Sequence, residues 1–127
     1  MAEIPSGPDF DLTLLLEIAD GSSEFIVDSI DMFLHQTPES LQQVIDAINA
    51  QDWPTAGSAA HKMKSTLGFF GMLESQALIH KVELSCKAGS PDVSEVLTQV
   101  NQVKANIAEN TEKLNQIKAD PGSLNLL

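Results

Sequence analysis

The sequence predicts an all-α domain, an up-down antiparallel four-helix bundle preceded by one short extra helix. Apolar residues recur at three- and four-residue steps along most of the chain, while sustained apolar–polar alternation is absent. Serine, aspartate and proline stand where these periodic stretches begin, and glycine stands where they stop. The links between them are short, which favours antiparallel neighbours. A chain of 127 residues, 43% hydrophobic and 20% charged, fits one globular domain.

Residues 1–8 read as an irregular lead-in because Pro5, Gly7 and Pro8 interrupt any period. A short helix over about 11–19 gathers Leu12, Leu15, Leu16 and Ala19, and Gly21 stops it. Ser22 caps the next helix, whose stripe is Phe25, Ile26, Ile30, Phe33 and Leu34. At Thr37-Pro38-Glu39 two readings stand: a fresh cap with proline in the first turn, or a proline inside one long helix. Leu41, Val44, Ile45 and Ile48 carry the stripe to about residue 50. Asp52-Trp53-Pro54 restarts the chain as a helix over about 53–70. A helix over about 73–88 follows Gly71, with Leu78, Ile79, Val82 and Cys86 on its apolar side. The last helix, over about 92–118, runs from Asp92 through Val96, Val100, Val103, Ile107 and Leu114. The domain thus spans 9–118, and 119–127 is a frayed tail. No internal repeat, low-complexity tract or second domain is visible.

The charge is uneven. Net charge is −11, all seven basic residues are lysines, and none of them precedes Lys62. Such a surface repels nucleic acid and anionic membranes, since affinity for both begins with neutralised phosphates. No apolar run approaches a membrane span, and the acidic N-terminus is no secretion signal. A single cysteine, Cys86, excludes an internal disulfide and a multi-cysteine zinc site and suits a reducing cytoplasm. No metal-ligand spacing, phosphate loop or dinucleotide fingerprint is present, so an ATP-using enzyme is not expected and no intrinsic cofactor or metal is.

One segment breaks this plainness, the run from Ala59 to Gly71. On a helical wheel Ala60, Met63, Leu67 and Phe70 share a core arc, with His61, Ser65 and Gly68 about 140° away. His61 therefore points outward, with Gly57 one turn before it and Lys64 between the two arcs. A glycine inside a helix costs roughly 0.5–1 kcal/mol relative to alanine. Glycines beside an exposed histidine suggest a partner whose backbone must come close. Lys64 can stabilise negative charge arriving on the imidazole, and a neutral imidazole nitrogen is a nucleophile. His35 and His80 read as structural or merely exposed, and Lys62 and Lys87 read first as solvated charges. Cys86 reads as a small core residue, and Phe69 as an exposed aromatic or part of a docking patch.

The run His61-Lys62-Met63-Lys64-Ser65-Thr66-Leu67-Gly68-Phe69-Phe70-Gly71 resembles the histidine phosphotransfer (HPt) signature, in which His-x-Leu-Lys precedes small residues and glycines. The resemblance takes in 21–34 with Phe33, then Leu41 through Ile48, Asp52, the Val82-Glu83 pair and Ala88-Gly89, covering about 9–118. Met63 replaces the usual leucine, and Ser65 a frequent glycine. The resemblance implies a bundle with an exposed phosphoacceptor, His61, and a stabilising cation, Lys64. It implies receiver docking around Gly57, Ser65, Gly68 and Phe69, with Glu83 and Lys87 on the neighbouring helix. The implied partners are response-regulator receiver domains and a hybrid histidine kinase, with Mg2+ held by the receiver. This chain would be a monomeric relay without turnover of its own.

Two rivals stand beside this reading. A histidine-kinase dimerisation box usually carries an acid after the histidine and a proline five residues on, where this chain has Lys62 and Thr66. The other rival is a helical module that binds a receiver or kinase without accepting phosphate.

Overall fold

The computed structural model describes residues 6–7, 9–89 and 91–119. Five helices follow one another: α1 (Thr13–Ala19), α2 (Ser23–Asn49), α3 (Trp53–Phe69), α4 (Leu73–Lys87) and α5 (Val93–Ala119). The four long helices form a closed ring in which each packs on its sequence neighbour and α5 returns against α2, while α1 lies on α2. This is the expected bundle with its extra helix. The lead-in is more ordered than expected where it is described. Strands β1 (Ser6–Gly7) and β2 (Phe10–Asp11) pair antiparallel. The tail beyond Ala119 lies outside the described residues.

The helix starts follow their capping residues. The Ser22 hydroxyl accepts from the Phe25 amide at 3.1 Å, and Asp92 accepts from Glu95 at 3.2 Å. Asp52 caps α3, with proline in its first turn. At Pro38, α2 is one unbroken helix. The proline ring is exposed, so the lost amide hydrogen bond falls on the solvent side, where water can reach the freed carbonyl. The interior is aliphatic: Leu12, Leu15, Ile26, Ile30, Ile48, Leu67, Met72, Ile79 and Leu114 are fully buried. On α3 the core arc is the one the wheel gave, with Ala60, Met63, Leu67 and Phe70 all buried.

Helix α4 lacks a cap of its own, since Met72 offers no side chain to the first turn. Asp9 supplies one from the other end of the chain. Its carboxylate accepts from the amides of Glu74 at 2.8 Å and Ser75 at 3.2 Å, and from the Ser75 hydroxyl. Asn110 of α5 donates to the Asp9 carbonyl at 3.1 Å, and Asn106 donates to Ser75 at 3.2 Å. The segment lies so close over the α3–α4 turn that a Cβ on Gly71, at φ +67°, would sit 2.2 Å from the Asp11 carbonyl oxygen. Asp9, which composition alone would leave on a solvated acidic surface, is buried and structural.

Candidate functional site

Burial of Ala60, Met63 and Leu67 sets the rotation of α3 and turns His61 outward, its side chain 62% exposed. Burial of Ile79, Val82 and Cys86 sets the rotation of α4 and lays Glu83 in the seam between the two helices. The Glu83 side chain is only 3% exposed. An isolated buried carboxylate is strongly unfavourable, so its partners decide its state. Oε1 lies 2.6 Å from Lys64 Nζ, and Oε2 lies 2.7 Å from both Lys87 Nζ and His61 Nδ1. The Lys64 and Lys87 ammoniums, with a smaller contribution from His61, outweigh desolvation and hold the carboxyl at about 2, down from an ordinary 4.5. Glu83 is an anion at any cellular pH.

An ionised carboxylate only accepts hydrogen bonds, so His61 Nδ1 carries the proton it donates to Glu83. In the neutral ring the lone pair is then on Nε2, across the ring from Glu83. His80 shows the opposite arrangement. An ammonium only donates, and Lys64 Nζ lies 3.3 Å from His80 Nδ1, so that nitrogen accepts and the neutral ring carries its proton on Nε2. The Gln76 amide donates to the Lys64 carbonyl at 3.0 Å. The α4 side of the cluster is thus a stripe of Gln76, His80, Glu83 and Lys87, spaced four, three and four residues apart.

Several sequence-derived assignments change. Gly57 is buried and leaves no surface for a receiver. A Cβ there would touch Cys86 and Lys87 at 3.5 Å, so this glycine faces the close approach of α3 to α4. Glu83, buried to 3%, cannot form docking surface either and instead anchors the cluster. Lys87 is 58% exposed, but its ammonium is paired with Glu83 rather than simply solvated. Gly68 has an internal role, since a Cβ there would lie 2.5 Å from the Gln76 amide nitrogen. His80 and Gln76 were not singled out as site residues. The signal for them was their stripe with Glu83, which periodicity reveals once Glu83 is known to face α3.

Ser65 is exposed beside His61, and Phe69 is half-buried, edge-on to Phe70 with ring centroids 5.4 Å apart. Both line a groove of about 520 Å³ between α2 and α3, together with Met32, Gln36, Lys62 and Thr66. Cys86 is buried, and loss of water pushes its thiol upward in pKa.

A closed helical bundle that presents an outward imidazole held at one nitrogen has the arrangement a phosphocarrier domain needs. The Hpt domain family model matches residues 28–119, and the chain belongs to that family. Its function is histidine phosphotransfer in a phosphorelay. The fold is similar to that of histidine-containing phosphotransfer protein B (HptB) from Pseudomonas aeruginosa PAO1, with a TM-score of 0.80. That similarity covers 90% of this chain and 97% of HptB at 18% identity. No curated protein matches the sequence. Among the described residues no helix is long and apolar enough to cross a membrane.

Proposed function

We propose that His61 is the phosphoacceptor and that Nε2 is the atom that takes the phosphoryl group. The observation that carries this reading is the 2.7 Å hydrogen bond from Nδ1 of an exposed imidazole to a buried, permanently ionised glutamate. Glu83 fixes the tautomer, so the lone pair is available at the accessible nitrogen without a prior proton transfer. It also stabilises the positive charge that the ring acquires when both nitrogens are substituted.

The phosphoryl donor is the aspartyl phosphate of a receiver domain. His61 Nε2 attacks phosphorus in line, the N–P bond forms, and the P–O bond to the receiver's aspartate breaks. The carboxylate leaves, and Nδ1 keeps its proton, still donated in the hydrogen bond to Glu83. The reverse sequence loads a second receiver. Such transfers depend on positioning and charge neutralisation, and Lys64 supplies the nearby cation on this side. The receiver holds the Mg2+ and lies over the α2–α3 groove, with Ser65 and Phe69 beneath it. The protein works in the cytoplasm as a monomer, between receivers and a hybrid histidine kinase. It is a carrier without turnover of its own.

The test is phosphoryl transfer from a radiolabelled, Mg2+-loaded receiver to the protein and to His61→Gln. Acid-labile, base-stable label on the unchanged protein, absent from the variant, is the expected result. Receiver binding without label on either form would leave a docking module and no relay.

A further inference from the structure

We propose that His80, on α4, is a positioning residue for the phosphoryl transfer and acts through Lys64. The inference rests on His61 as acceptor and adds a residue the HPt-like run does not contain. His80 is half exposed, at 51%, so packing alone does not account for where its ring lies. Its Nδ1 meets the Lys64 ammonium at 3.3 Å, and the same ammonium reaches Glu83 Oε1 at 2.6 Å. Lys64 is therefore held by two acceptors on α4, an anion and a neutral ring. Gln76, one turn before His80, holds the Lys64 backbone carbonyl. A lysine side chain has four rotatable carbons and no preferred direction for its charge. Here both its root and its tip are fixed from the opposite helix.

The second acceptor matters because Glu83 serves three donors with two oxygens. With Glu83 alone, the ammonium could slide toward Oε2, where His61 and Lys87 already converge. His80 Nδ1 keeps Lys64 at Oε1, so His61 and Lys64 stay on separate oxygens. The ammonium then stands beside the ring and leaves its Nδ1 contact with Glu83 intact. When a phosphoryl group arrives on Nε2, the neutral acceptor releases Lys64 more readily than a second carboxylate would.

Three variants in a double-mutant cycle test this, with transfer from a radiolabelled, Mg2+-loaded receiver as the rate. His80→Ala is expected to slow loading by about threefold to tenfold, the kinetic equivalent of one partly exposed hydrogen bond. His80→Asn, whose side-chain oxygen can occupy the Nδ1 position, recovers most of that loss. In a Lys64→Met background, His80→Ala should cost nothing further. Equal losses in both backgrounds overturn the proposal, because His80 would then not act through Lys64. Nitrogen-15 spectra of the histidine rings in alkaline buffer give a readout independent of transfer. The proton is expected on Nδ1 in His61 and on Nε2 in His80, and Lys64→Met should disturb His80 more than His61, which feels the loss only through Glu83. A proton on Nδ1 of His80 in the unchanged protein overturns the assignment. Absence of label from the unchanged protein overturns the reading of His61 and this inference with it, whereas label with additive losses removes this inference alone.

Discussion

Asp9 and Glu83 face the same physical problem, a carboxylate at 6% and 2% exposure, and answer it in opposite ways. Asp9 takes its hydrogen bonds from backbone amides and a hydroxyl at the start of α4, where the helix dipole also favours an anion. Those donors belong to the helix itself and have nowhere else to go. Glu83 is paired with two lysines and an imidazole that reach in from a wet surface, the imidazole 62% exposed. Each can let go and meet something else. Burial is therefore a poor marker of function in this molecule, and the freedom of the buried group's partners is a good one.

The contrast can be broken by experiment. Replacing Asp9 by alanine leaves the first amides of α4 unpaired inside the protein and should lower stability by about 2–3 kcal/mol. Denaturant unfolding measures that loss, while label taken up per folded molecule should stay as it was. Glu83→Gln should act chiefly on loading, with a cost in stability that depends on pH. It removes an acceptor for charged donors, worth about 1.5–3 kcal/mol each, so loading should fall by about tenfold to a hundredfold while the bundle stays folded. An Asp9 variant that folds normally but loads poorly would erase the distinction.

Acid sharpens it further. The Glu83 carboxyl is held at about 2 in the fold against an ordinary 4.5. A depressed carboxyl contributes stability in full above its unfolded value and loses it as the pH falls toward the folded one. The stability gap between the unchanged protein and Glu83→Gln should thus be widest above pH 4.5 and close toward pH 2. Thermal melts at stepped pH would show it. The smallest effect is expected at Gly57, where an added methyl meets ordinary contacts at 3.5 Å. Gly57→Ala should change stability by less than about 1 kcal/mol, the helix-propensity gain offsetting slight crowding, with loading unaltered. A large loss of loading would return Gly57 to the docking surface.

Much of this was legible in the sequence, for reasons tied to range. Helix rotation follows from periodicity within a single segment, so the outward His61 and inward Met63 could be placed from residues 59–71 alone. Pro38 was ambiguous because a proline near a candidate cap looks the same as one in an exposed mid-helix position. The partner of His61 lies 22 residues away on α4, and the histidine that meets Lys64 lies 16 residues from it, so pairing across helices depends on their relative register. No intrahelical period encodes that, so Glu83 came only from a family likeness and His80 not at all. Gly57 was misplaced for a related reason. On the wheel it sits near His61, but one turn further along the axis α4 crosses close above it. Asp9 was hidden most deeply, because the helix it caps starts 64 residues later in the chain.

That last separation has a kinetic meaning. The ring of helices closes largely through sequential neighbours, which is the topology of rapid folding. The Asp9 knot joins residues 101 positions apart at its Asn110 hydrogen bond, and its loop-closure entropy must be met before any of its bonds form. It is expected to assemble after the bundle and to open before it. In hydrogen-exchange terms, the amides of Glu74 and Ser75 should exchange through a small local opening, while those beside Val82 wait for the whole domain to unfold.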